Sequence, residues 1–189
     1  MRLDEAATGS WLRTVAVAAL CVVGVLAVVA YLLRGLLVPL RALGQSVVCA
    51  GNVFRLTRAF RMYSDDYDER FPPAPGWVDR TLFYTGDDRR YHCPVVSAPG
   101  EDRYGYAMND SMSARFRSKV NDPDHAPIVY DSESLVRSAH DALTSLPYPG
   151  RHFVRAQKRA PLERGNFIGY VAGFAKFAPE SAKRPIRSD

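Results

Sequence analysis

The stretch VAVAALCVVGVLAVVAYLL, residues 15–33, decides the fold class because its nineteen residues carry no charge and lie between Arg13 and Arg34. As an α-helix it is about 28 Å long, close to the thickness of a bilayer core, which is about 30 Å. A cleaved secretory signal is the alternative, but the apolar core of such a signal usually has about 7 to 15 residues. The sequence therefore predicts a transmembrane helix over 14–38.

The segment after Pro39 has the apolar spacing of an amphipathic helix. Apolar residues recur every three or four positions, at Leu40, Leu43, Val47, Ala50, Val53, Leu56, Phe60, Tyr63 and Tyr67. Arg55, Arg58 and Arg61 fall on another face. These positions predict a helix over 39–66 that continues the membrane helix past a kink at Pro39 and packs one face on a domain.

The acidic stretch MYSDDYDERFPP, residues 62–73, has four carboxylates in five positions and marks either a metal site or a helix end. A calcium loop that starts at Asp66 would need a Gly and a Glu where the chain has Phe71 and Trp77. Acidic side chains are unfavourable at a helix C-terminus and the prolines block continuation, so a helix end is the favoured interpretation. We assign no metal site, and Asp66 and Asp68 stay as the two candidate contacts for a cation.

Beyond Trp77 the chain reads as short elements separated by turns, which predicts a mainly β region over 77–178. APIVYDS has the composition of a buried strand, and NFIGYVAGFAKF that of a hairpin or a bulged final strand. Residues 132–146 could contain a short helix. The basic tail, 179–189, is predicted to be disordered.

The net charge of +5 is unevenly distributed along the chain. Residues 34–61 carry five Arg and no acid, 62–149 carry nine bases and fifteen acids, and 150–189 carry nine bases and three acids. Pairing within the molecule and a basic stalk beside anionic lipid headgroups account for this pattern, and no nucleic-acid-binding motif is present. We therefore expect a membrane as partner and no nucleic acid.

Cys49 and Cys93 are the two cysteines outside the apolar run, which contains Cys21. They are left as a possible pair. Zinc is disfavoured because the chain has no CxxC motif and no clustered histidines, and a disulfide would need an oxidising compartment.

The four histidines are scattered, and no nucleophile, zinc-protease or nucleotide-binding motif occurs. Each histidine has a structural or surface interpretation that is favoured over catalysis. We therefore predict no catalytic residue, no cofactor and no small-molecule substrate, and a protein that is not an enzyme.

The stretch SVVCAGNVFRLTRAFRMYSDDYDERFPP, residues 46–73, resembles the signature of bacterial type IV pilin-like proteins related to type II secretion pseudopilins. The matching positions are Ser46, Cys49, Asn52, Met62, Tyr63, Asp66, Tyr67, Asp68, Phe71, Pro72 and Pro73. YHCP, YGYAMN and DPDHAPIVYDSE follow in the order of that family's later blocks. The resemblance covers about residues 38–178.

The resemblance implies an α+β fold in which a long N-terminal helix, half transmembrane and half amphipathic, packs on a small antiparallel β-sheet. Residues 1–13 would be cytoplasmic, and the helix would cross the bacterial inner membrane once. The pilin-like domain, 39–178, would then lie outside the cytoplasm. In that compartment the resemblance also implies a disulfide between Cys49 and Cys93.

Family members are structural or assembly subunits, so the resemblance implies a non-enzymatic component of a secretion or pilus-type system. Its partners would be other pilin-like or secretion-system subunits. The alternative is a membrane-anchored binding module outside the cytoplasm. Such a module would present the basic strip RHFVRAQKR, 151–159, to an acidic partner or an envelope polymer.

The chain departs from the family pattern at both ends. The family's N-terminal peptidase site and its membrane Glu are replaced by GSWLRT, 9–14, so we expect the N-terminus to be retained. Near the C-terminus, Ala172 and Phe174 stand where the family has Asp and a second His. We therefore expect Phe174 to be largely buried, His152 to lack its family partners, and this end of the domain to be packed rather than ligating.

Overall fold

The computed structural model describes residues 4–97, 101–155 and 161–181, with side chains described from Trp11 onward except at Leu12. The chain divides into two compact units, Met1–Arg41 and Ala42–Asp189. Helix α1, Asp4–Asp66, contributes its first part to one unit and its last part to the other.

In the first unit, α1 is an apolar helix whose described side chains, from Trp11 onward except at Leu12, are exposed. It is long and apolar enough to cross a membrane, and its most apolar window contains no buried residue. Large apolar side chains such as Leu20, Val25 and Tyr31 are each more than half exposed. A core helix of a soluble protein would bury such side chains, so this helix could span a membrane.

In the second unit, one face of α1 lies in the core of the domain. Val53, Leu56 and Phe60 are fully buried there, as the apolar spacing predicted. The prediction is wrong at Val47, which is 72% exposed. The buried positions around Val47 are Ser46, Cys49 and Asn52, which a pattern based on large apolar residues does not predict.

The chain leaves α1 inside the acidic stretch. Asp68 and Glu69 adopt positive φ angles of 50° and 58°, and the Glu69 N–H donates to the Ser64 carbonyl at 2.8 Å. Asp and Glu at these angles reverse the chain direction, and the prolines then keep it extended.

The expectation of mainly β structure from residue 77 is wrong at its start. Helix α2 spans Trp77–Thr85, between Gly76 and Gly86, both in the left-handed region. Short 3₁₀ turns follow at Asp88–Tyr91, Asp110–Met112 and Arg117–Lys119. Trp77 and Val78 point into the core and Phe83 points to solvent, so this segment has helical rather than alternating periodicity.

Within the described residues, six strands form one mixed sheet: β1 Tyr106–Asn109, β2 Pro127–Asp131, β3 His140–Asp141, β4 His152–Arg155, β5 Leu162–Tyr170 and β6 Ala175–Pro179. Their order is β3-β1-β2-β5-β4, and β6 pairs with the other edge of β5. All pairs are antiparallel except β1 with β3, so the expectation of a purely antiparallel sheet is wrong.

The structure confirms two strand predictions and corrects two predictions of another kind, for residues 132–146 and for the tail. β2 is a buried strand within APIVYDS, and β5 and β6 form the predicted hairpin. Residues 132–146 contain β3 and turns instead of a helix, because Ser138 and Leu143 take positive φ angles. β6 extends to Pro179, so the predicted tail begins in a strand, and its residues 182–189 lie outside the described residues.

Gly169 permits a close approach between α1 and β5. A Cβ atom there would overlap the methyl group of Thr57 and come within 2.9 Å of Val129. We expect Gly169→Ala to lower the free energy of unfolding by about 1–3 kcal/mol, because the helix and the sheet must separate. Urea unfolding in detergent measures this loss.

The matched control is Gly51→Ala on α1, where a Cβ atom meets nothing within 4 Å. That substitution should stabilise the protein by about 0.5–1 kcal/mol, because Ala is the better helix former. Equal effects of the two substitutions would contradict a close contact at Gly169.

Candidate functional site

Four buried side chains from different parts of the fold meet in what we call the Cys-His cluster: Cys49, Cys93, Asp131 and His152. Cys49 lies on α1, Cys93 follows the first 3₁₀ turn, Asp131 ends β2, and His152 begins β4. Each of the four residues is 0% exposed. The Sγ atoms of Cys49 and Cys93 are 2.8 Å apart, and Cys93 Sγ is 3.7 Å from His152 Nε2.

Side chains of α1 hold the segment that carries Cys93. Asn52 donates to the His92 carbonyl at 3.2 Å, and Gln45 donates to the Pro94 carbonyl at 2.8 Å. On the other side, Gly105 lies against the Cβ atom of Cys93, where any larger residue would overlap it. Cys93 is therefore fixed from both directions.

The sheet positions the other two members. Asp131 accepts hydrogen bonds at both oxygens, from the Phe167 N–H at 2.5 Å and from His152 Nε2 at 3.2 Å. The imidazole packs against the Phe167 ring, with centroids 5.1 Å apart. Among the described residues, Nδ1 of His152 has no hydrogen-bond partner. All polar contacts of this ring are therefore made by Nε2.

The protonation states of the cluster follow from burial and from these contacts. Burial raises the pKa of the Cys49 thiol far above its ordinary value. The hydrogen bond from Cys49 lowers the pKa of Cys93 to about 5, against the opposing effect of burial and with help from His152. Burial alone would lower the pKa of His152, but the hydrogen bonds and charges of Asp131 and Cys93 together outweigh it and raise that pKa to about 9. The cluster thus favours a Cys93 thiolate beside a cationic imidazole.

The disulfide implied by the resemblance is not formed in this structure. Cys49 and Cys93 are free thiols, and their 2.8 Å separation exceeds a disulfide bond length of about 2.05 Å. The two sulfur atoms lie next to each other, as a disulfide would require, but a hydrogen bond joins them instead of a covalent bond. His152 was expected to lack its family partners at positions 172 and 174, and it has other partners instead, because Cys93 and Asp131 contact its Nε2.

The structure does not gather the candidate cation ligands Asp66 and Asp68 into a site. Both residues are exposed, and Asp66 accepts a hydrogen bond from the Tyr84 hydroxyl at 2.7 Å. In the part of the chain that the structure describes, three potential ligand atoms converge at Cys49, Cys93 and His152, within 4.8 Å of one another. The acidic stretch instead forms the end of the helix.

Phe174 has an intermediate exposure, so it meets the expectation of a largely buried side chain only in part. Its ring lies 5.4 Å from that of Tyr170, and the Lys176 ammonium lies 4.6 Å from its centroid. The hairpin turn places Phe174 at the margin of the domain, where Lys176 covers one face of its ring. The side chain packs locally and does not join the main core.

The basic strip 151–159 does not form a continuous exposed surface in its described part. Arg151 donates to the carbonyls of Gly105 and Ser132, at 3.1 and 2.5 Å, and His152 is buried in the Cys-His cluster. Residues 156–159 lie outside the described residues. Arg151 and His152, the first two residues of the strip, therefore stabilise the folded domain.

The raised pKa of His152 makes the stability of the metal-free, reduced protein depend on pH. A folded-state pKa of about 9, above the ordinary 6.5, means that the pair with Asp131 stabilises fully below about pH 6.5. This stabilisation is lost as pH rises through about 9. We expect the difference in Tm between wild type and His152→Asn to shrink from pH 6 to pH 10.

Thermal unfolding across this range, with a chelator and a thiol reductant present, measures that difference. Other titratable groups also face the imidazole or its neighbours, namely Cys49, Cys93 and Tyr106. They are present in both the wild type and His152→Asn, so the comparison of the two proteins isolates the contribution of His152 and of its interactions with these groups. A difference in Tm that stays constant across the range would contradict a charged His152.

No protein-family model matches the chain, and neither do the curated proteins or the solved structures with which it was compared. The pilin-like assignment is therefore a proposal that depends on the sequence blocks.

Proposed function

We propose that this chain is a non-enzymatic, single-pass membrane protein of the bacterial inner membrane, with a pilin-like domain outside the cytoplasm. The observation that carries the proposal is α1. Its first part exposes an apolar surface, and its last part supplies one face of the core of the domain that contains the β-sheet. A helix used in both ways anchors the domain and supports its fold at once.

Within this proposal, the domain acts as a structural or assembly component of a secretion or pilus-type system. The residues that resemble the pseudopilin signature support this role by where they lie. Ser46 and Asn52, two of the matching positions, are buried and hold neighbouring backbone segments through hydrogen bonds to Phe153 and His92. The signature thus contains residues that join α1 to the rest of the domain.

Membrane fractionation tests the anchor. The full chain should sediment with membranes, resist extraction by high salt or carbonate, and dissolve in detergent. A variant that lacks residues 1–38 should be found in the soluble fraction. A full chain that is extracted without detergent would contradict the transmembrane assignment.

A C-terminal alkaline phosphatase fusion tests the orientation, because that enzyme is active only outside the cytoplasm. High activity is expected from a fusion after residue 181. A fusion after Arg34 places the reporter directly beyond the apolar run and serves as the matched control. An inactive fusion at 181 together with an active cytoplasmic reporter would reverse the proposed topology.

Site-specific photo-crosslinking in intact membranes tests the assembly role. On the part of α1 in the domain, Phe54 and Met62 are exposed and line an open groove with Arg58, Arg61 and Asp65. A crosslinker at Phe54 should capture pilin-like or secretion-system subunits, whereas one at Phe83, which is 87% exposed on α2, serves as control. Capture of the same partners at both positions, or of none at Phe54, would argue against an assembly surface there.

A further inference from the structure

We propose that the Cys-His cluster binds one thiophilic divalent cation of the zinc class, with Cys49, Cys93 and His152 as ligands and Asp131 as the fourth donor. The cluster contains two sulfurs, an imidazole nitrogen and a carboxylate oxygen, which are all donors that zinc accepts. The inference rests on the described geometry and does not depend on the proposed function.

Two of the three measured donor separations lie within about 0.2 Å of the edges of a zinc tetrahedron. With bonds of about 2.0–2.1 Å to nitrogen or oxygen and about 2.3 Å to sulfur, these edges are about 3.3–3.8 Å long. Cys93 Sγ lies 3.7 Å from His152 Nε2, and His152 Nε2 lies 3.2 Å from Asp131 Oδ1. The nitrogen therefore already lies close to the required distance from both of these neighbours.

The third separation predicts the movement that binding requires. The Sγ atoms of Cys49 and Cys93 are 2.8 Å apart, so they must separate by about 1 Å to share one zinc ion. Rotation of the two short side chains can supply this displacement. Binding also removes the thiol proton of Cys49 and the Nε2 proton of His152, because both atoms must offer a lone pair.

Burial gives a reason to prefer a cation over a simple pair of thiols. Asp131 is 0% exposed, and an ionised carboxylate in such a place requires a nearby positive charge. A disulfide between Cys49 and Cys93 would use two of the four donors and leave His152 as the only cation beside Asp131. A divalent cation uses all four donors, and its charge offsets two of the three negative charges that the two thiolates and the carboxylate carry.

The full-length protein in detergent, purified through a tag without histidine and kept under a thiol reductant, provides the test. We expect about one zinc per chain by elemental mass spectrometry. Replacing zinc by Co²⁺ should produce sulfur-to-cobalt charge-transfer absorption and the visible bands of a tetrahedral site. Chelation should lower the Tm of the wild-type protein, and added Zn²⁺ should restore it while Mg²⁺ should not.

Variants separate ligation from folding. Cys49→Ser and His152→Ala should lose the cobalt spectrum, and Asp131→Asn should weaken zinc binding about 10–100-fold. Cys21→Ser and His140→Ala are the matched controls, since Cys21 lies in the apolar run and His140 pairs with Asp110 at the surface; both should bind zinc as the wild type does. The wild-type metal content and chelator response decide the question even where a variant fails to fold.

Two outcomes would overturn the proposal. One is a wild-type protein with both thiols titratable and no response of its Tm to Zn²⁺ or chelator. The other is a protein isolated without reductant that is lighter by two hydrogens, resists alkylation at Cys49 and Cys93, and contains no metal. That result would assign the two sulfurs to a disulfide instead.

Discussion

Replacing Asp131 by Ala is expected to lower the free energy of unfolding of the metal-free protein by about 3–5 kcal/mol. The carboxylate is fully buried and accepts from the Phe167 N–H at 2.5 Å and from His152 Nε2 at 3.2 Å. Without it, a buried N–H and a buried imidazolium lose their partners at once. Urea unfolding in detergent, with chelator and reductant present, measures the loss.

Two further variants separate the causes of this effect. Asp131→Asn keeps an acceptor for Phe167 but removes the charge that faces His152, so its loss should be smaller. The exposed pair of His125 and Asp122 has the same chemistry at 3.0 Å, with both side chains more than 60% exposed. His125→Ala should therefore change stability by no more than about 0.5 kcal/mol. If Asp131→Ala costs no more than His125→Ala, the buried pair does not stabilise the fold.

Trp77→Ala is the second large expected effect, with a loss of about 3–5 kcal/mol. The indole is 1% exposed and packs against Phe60 and Tyr91, with ring centroids 5.3 and 5.5 Å away. Its Nε1–H donates to the Ala139 carbonyl at 2.9 Å. The substitution therefore opens a cavity between α1 and α2 and removes a buried hydrogen bond to the segment before β3.

Phe83→Ala on the same helix is the matched control, since Phe83 is 87% exposed. Its effect should lie within about 0.5 kcal/mol of zero. Trp77→Phe should fall between the two, because it keeps an aromatic ring and loses the N–H donor. Equal unfolding free energies for Trp77→Ala and Phe83→Ala would contradict the position of Trp77 in the core.

The elements that the sequence predicted are those with a strong local pattern. The uncharged run, the amphipathic helix, β2 and the β5–β6 hairpin each follow from the spacing of neighbouring residues. α2 was missed because its nine residues, which include three aromatic side chains, resemble a short strand. The two-residue β3 has no pattern of its own, and its parallel pairing with β1 depends on the fold around it.

The candidate site could be predicted only in part. The sequence brought Cys49 and Cys93 together as a possible pair, and their sulfurs do meet. It did not find Asp131 or the contact of His152 with Cys93, because neither residue belongs to a local motif with the cysteines. β2 and β4 deliver these side chains through their pairing with β5, which is a property of the sheet rather than of any one segment.

The order of residues in the Cys-His cluster also has a consequence during synthesis. Cys49 and Cys93 are separated by 44 residues, and His152 follows Cys93 by a further 59. At about 5–20 residues per second, the two thiols are made roughly 3–12 s before the imidazole. An oxidant that reaches the two thiols in this interval would convert them to a disulfide before the four-donor site exists. In the proposed topology, with the domain outside the cytoplasm, the order of arrival would decide between the metal and the disulfide, and a slower or faster passage of the chain would change the proportion of the two products.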